Sequence, residues 1–205
     1  MKCSNIGSKG LTHMRGEFDE RVTFHPWVGE RYWTGNRFGI RLLVLGESHY
    51  AVEGYAVQGE EHPKVTIEAV RNHTQPDTEH FERNRFFTVI ANMLRSKPGW
   101  ISDHDLADVF REIAFYNFVQ SFIPDTRMRP EFRQWVDAQE PFKIVLEARR
   151  PEAVLVLGHE LWDHILEKSA GIEFAYIAHP SSSRGGYDEA IPRFQNLLAR
   201  TRRIG

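Results

Sequence analysis

Four short apolar runs, separated by stretches of helical spacing, constrain this fold more than any other feature. They cover residues 40–45 (IRLLVL), 113–119 (IAFYNFV), 153–157 (AVLVL) and 174–178 (FAYIA). Each is short and nearly continuous in its apolar character, the pattern of a strand buried on both faces. Between them, residues 64–72, 84–95, 103–109, 130–149, 159–169 and 188–200 read as helices. Strands alternating with helices imply parallel crossovers. The expectation is one α/β domain over residues 1–205: a three-layer α/β/α sandwich with a central, mostly parallel sheet of about four strands. Residues 1–15 read as a loose arm and residues 24–37 as a structured aromatic loop. Asp103 is expected to cap one helix, and Pro141 to break another.

Composition narrows the chemistry. Lys and Arg number 26 against 28 Asp and Glu, a formal net charge of −2, which excludes a strongly basic coat protein but not a local basic patch. A single cysteine, Cys3, allows no internal disulfide and no thiolate-held zinc or iron–sulfur cluster. His159 and His164 lie five apart, off a shared helical face, and no other histidines show ligand spacing. No apolar run approaches the ~20 residues of a membrane helix, and the first residues lack the apolar core of a secretion signal. The expectation is a cytoplasmic monomer without cofactor, metal or membrane partner.

In parallel sheets, ligands bind beyond the C-terminal strand ends. Three polar segments stand there: Glu47-Ser48-His49-Tyr50, Asn117, and His179-Pro180-Ser181. Gly46-Glu47-Ser48-His49 follows a strand as a nucleophile elbow does, which raises a serine hydrolase with His179 as its base. Tyr50, however, stands where that tight turn normally needs glycine. Ser181, Ser182 and Ser183, with Arg184 and two following glycines, form either a phosphate cradle or a solvated turn. Asn117 interrupts an aromatic strand, where asparagine is disfavoured. Its amide either reads a nucleobase edge bidentately or bonds nearby backbone.

Taken in order, these segments resemble the uracil-DNA glycosylase superfamily. LVLGESHY resembles its first motif, a strand running into the loop that holds the water-activating residue; FYNFVQSFIP resembles the strand whose asparagine recognises uracil. PFKIVLEARRPEAVLVLG resembles its helix–strand–Gly segment, and HPSSSRGGY its last motif, a loop contacting base and DNA backbone. The resemblance runs from about residue 40 to 198. It implies a hydrolase excising uracil or another deaminated base from DNA, single- or double-stranded. His179, Glu47, Ser48 and His49 are then the catalytic candidates, with Gly46, Tyr50 and Asn117 around the base. Ser181, Ser182, Ser183 and Arg184 would hold the DNA backbone. Ser48 stands where many members carry Asp or Asn, and His49 where they carry Pro. A non-catalytic nucleobase, nucleotide or nucleic-acid binding protein on the same scaffold is the alternative. Tyr50, Tyr55 and Phe86 are candidates for the aromatic platform, and Glu47, His49 and Asp188 for the water-activating group.

Overall fold

The computed structural model describes residues 18–51, 62–166, 168–182 and 186–203. Along the chain these form β1 (Trp27–Val28), β2 (Leu42–Gly46), β3 (His49–Tyr50), α1 (Val65–Thr74), α2 (Arg85–Leu94) and α3 (Asp103–Phe110). There follow β4 (Ala114–Asn117), β5 (Phe122–Ile123), α4 (Phe132–Asp137), α5 (Gln139–Arg149), β6 (Ala153–Leu157), α6 (His159–His164), β7 (Glu173–Ile177) and α7 (Tyr187–Thr201). The fold is mixed α/β, with a mostly parallel sheet of five strands flanked by helices.

The sheet order is β1-β4-β2-β6-β7. β4, β2, β6 and β7 pair in parallel and correspond to the four apolar runs. The fifth strand, β1, pairs antiparallel with β4 at one edge. It lies in the stretch expected to be a loop, because two residues leave no periodic pattern.

Successive side chains of a strand point to opposite faces. Leu42 and Val44 therefore join one core cluster with Ile90, Phe110 and Phe194, from α2, α3 and α7. Leu43 and Leu45 join the other with Trp135, Phe142 and Leu161, from α4, α5 and α6. Burying each such side chain contributes about 1.5–3 kcal/mol. A hydrophobic sheet covered on both faces is thus the three-layer arrangement expected.

Some boundaries differ from expectation. Ser102, not Asp103, caps α3, its hydroxyl accepting from the Asp105 N–H at 3.0 Å. Pro141 does not break a helix; the break falls at Ala138, and Pro141 sits in the first turn of α5, where its missing N–H has no intrahelical duty. α6 ends at His164, five residues early. Among the described residues no helix is long and apolar enough to cross a membrane. The expected arm at residues 1–15 lies outside the described residues.

Candidate functional site

Parallel pairing brings the C-terminal ends of β2, β4 and β7 to one edge of the sheet. Gly46 pairs with Asn117 in register, and β7 ends two residues before His179. A cavity of about 390 Å³ opens there, lined by Glu47, Ser48, His49, Tyr50, Asn117, His179 and Ser181 together with Asn84, Phe86 and Thr126. A wider groove of about 820 Å³ shares Glu47, Tyr50, His179 and Ser181 with it and adds Ser182, Arg127 and Arg129. The three separated segments therefore meet. Ser183, Arg184 and Tyr55 lie outside the described residues, and Asp188 lines neither space.

His179 is held by its own loop. The Ser181 N–H donates to His179 Nδ1 at 3.2 Å, and the Ser182 N–H donates to the His179 carbonyl at 2.7 Å. A backbone N–H can only donate, so Nδ1 accepts, and the proton of the neutral ring sits on Nε2. Burial, with the Arg129 charge as a second cause, holds the imidazole below its ordinary pKa, which favours that neutral form. Phe86 lies against it, ring centroids 5.4 Å apart and tilted by 35°. The site thus contains a neutral N–H donor beside an aromatic face.

Asn117 departs from the role expected of it. Its Nδ2 donates to the Ser48 carbonyl at 3.1 Å and lies 3.1 Å from His49 Nε2. The Ser48 carbonyl only accepts, which fixes the amide with Nδ2 toward it. Nδ2 in turn only donates, so His49 Nε2 is an acceptor and the ring proton is on Nδ1. Both Nδ2 hydrogens are committed to the first-motif loop, and none remains for a bidentate contact to a base.

His49, although it lines the cavity, is engaged by its neighbours. Its Nε2 also contacts Thr66 Oγ1 at 2.8 Å, and its ring packs edge-on against Phe24 at 5.2 Å. Burial lowers its pKa from 6.5 to about 4. β3 then pairs in parallel with β5, a small second sheet that clamps His49 and Tyr50.

That pairing also removes the serine-hydrolase reading. A nucleophile elbow turns from strand into helix, whereas the chain after Ser48 enters β3. Ser48 Oγ is buried and makes no hydrogen bond to an imidazole among the described residues, so none activates it.

Glu47 is buried and borders both spaces. Burial raises its pKa, opposed by Arg129, whose Nη1 lies 3.6 Å from Glu47 Oε1. Of the three water-activating candidates, Glu47 alone has a titratable carboxylate on the cavity. Arg129, Thr126 and Asn84 were not singled out from the sequence. They stand in loops or at a helix cap, where no periodicity marks a side chain. Among the described residues no cluster of three or more His, Cys, Asp or Glu could hold a metal ion.

No family model matches this chain, and no curated protein matches it.

The lowered pKa of the half-buried His49 has a measurable consequence. Above pH 6.5, His49 is neutral whether the chain is folded or unfolded. As pH falls from 6.5 toward about 4, the unfolded imidazole takes up a proton that the folded one refuses, so stability drops. The expected loss is on the order of 3 kcal/mol, with His179 acting in the same direction. Urea unfolding at pH 7 and pH 4.5 measures it. His49→Gln, which keeps an acceptor without titrating, should flatten the dependence; an equally steep loss in that variant would refute the assignment to His49.

Proposed function

We propose that the protein is a DNA-base glycosylase of the uracil-DNA glycosylase type, hydrolysing the N-glycosidic bond of uracil or another deaminated base. The observation that carries this reading is the His179 imidazole, neutral, with its Nε2–H as the available donor, in a cavity walled by Phe86. Cleavage of an N-glycosidic bond builds negative charge on the departing base and positive charge on the sugar. A fixed N–H donor meeting the base oxygen in a site shielded from water stabilises that anion. The ring of Phe86 offers the face on which an extruded base stacks. Glu47 supplies the carboxylate that orients water and balances the sugar's positive charge. The loop at Ser181 and Ser182 is the segment we assign to the phosphates, together with Ser183 and Arg184, which lie outside the described residues.

A second reading is a nucleobase-binding protein without catalysis. The engagement of both Asn117 Nδ2 hydrogens favours it, as does Ser48 at the position of the usual acid. One assay separates the two: abasic-site formation on single- and double-stranded oligonucleotides carrying uracil, hypoxanthine or xanthine. Strand scission after alkali at the modified position is the result expected. Retention of the oligonucleotides in a filter-binding assay with every base intact would support binding alone.

A further inference from the structure

Arg129 touches two carboxylates of the groove, Glu47 and Glu160, and its place there has no counterpart in the sequence motifs. It lies between β5 and α4. Its Nη1 is 3.6 Å from Glu47 Oε1, at the foot of β2, and its Nε is 3.4 Å from Glu160 Oε2, on α6. Its side chain is 67% exposed while that of Glu47 is 9% exposed, so one end of the pair is anchored and the other faces the groove. We propose that Arg129 is the positioning residue of this site: its guanidinium ties β2 to α6 and holds the Glu47 carboxylate in the space it shares with His179. The role deepens the glycosylase reading and rests on it wherever activity is concerned.

The charges around the groove support this. Glu47 is exposed to three influences: burial, which raises its pKa; Arg129, which lowers it; and Glu160, which raises it. His179 is held down by burial and, second, by Arg129. The other titratable or charged groups on the groove are Tyr50, Arg127, His159 and Glu189. A single cation therefore favours an ionised Glu47 and a neutral His179 together. This is the combination that a water-orienting carboxylate and a neutral N–H donor require, because a nearby positive charge lowers the pKa of both groups. A lysine could supply the charge but not the two-sided contact of a planar guanidinium.

The test uses the full chain as wild type, Arg129→Gln and Arg129→Lys. NMR titration of the His179 ring and the Glu47 carboxyl carbon reads the effect without any need for turnover. In Arg129→Gln the Glu47 midpoint should rise by about one pH unit and that of His179 by less. Arg129→Lys should restore most of the His179 position and only part of that of Glu47. The acidic limb of kcat/KM for abasic-site formation should move up with Glu47, leaving activity about tenfold lower on that limb, with a smaller loss above it because the carboxylate is no longer held in place. Unmoved titrations in a folded Arg129→Gln protein would overturn the proposal. If the titrations move but wild-type protein forms no abasic sites, the positioning role stands and the glycosylase reading falls.

Discussion

Replacing His179 with alanine should slow abasic-site formation by ~10²–10³-fold, roughly 3–4 kcal/mol of lost transition-state stabilisation. The donor acts on charge that develops only as the base departs. Its removal should therefore lower kcat while affinity for an abasic product, which lacks the base, changes little. The ring is already oriented by the Ser181 N–H at 3.2 Å, so the wild-type protein spends no reorganisation in presenting Nε2. Ser48→Ala sets the contrast. A buried hydroxyl with no base beside it is a poor base at neutral pH, and its loss should cost less than tenfold. Single-turnover kinetics on a uracil-containing oligonucleotide would measure both. A folded Ser48→Ala protein that is inactive, beside a His179→Ala protein within tenfold of wild type, would reverse the assignment of roles.

The sheet was legible because β2, β4 and β6 are buried at every position, so that residues 42–46 and 153–157 are apolar throughout or end at glycine, and the half-buried edge strand β7 still keeps an apolar run. β1, β3 and β5 were not legible. Each has two residues, too few for a period to appear, and each exists through pairing with a distant segment. Pro141 carries the strongest local signal for a break, yet α4 and α5 meet at Ala138. A proline in a first turn costs no hydrogen bond, however, so the chain placed its break earlier. The meeting of Glu47, Asn117 and His179 followed from strand direction alone, since parallel strands deliver their C-terminal ends to one edge. The commitment of the Asn117 amide to Ser48 and His49 did not follow, because hydrogen-bond partners 68 or 69 residues away are set by register. Arg129 was invisible for a related reason. It lies in an irregular segment, and its significance comes from Glu47 and Glu160 converging on it through the fold.

Gly46→Ala should damage both stability and the site, although it adds one methyl group at the end of a core strand. A Cβ on Gly46 would overlap Asn117 Oδ1 and lie 3.1 Å from Phe115 Cζ. Gly46 is paired with Asn117 across the β2–β4 ladder, so neither strand end moves without loosening the other. The amide has to give way, and with it go the Nδ2 contacts to the Ser48 carbonyl and His49 Nε2. Overpacking of this kind costs about 1–3 kcal/mol, and each lost hydrogen bond about 0.5–1.5 kcal/mol more. For a domain of this size the sum corresponds to a Tm lower by roughly 5–15 °C. Excision should fall with it even at temperatures where the protein stays folded, because the displaced loop carries Glu47. A double-mutant cycle isolates the cause. Asn117→Ala removes the overlapped oxygen, so Gly46→Ala should cost distinctly less in that background than in the wild type. Calorimetric melts of the four proteins decide the matter: strictly additive losses would mean that the asparagine is not what excludes a side chain at position 46.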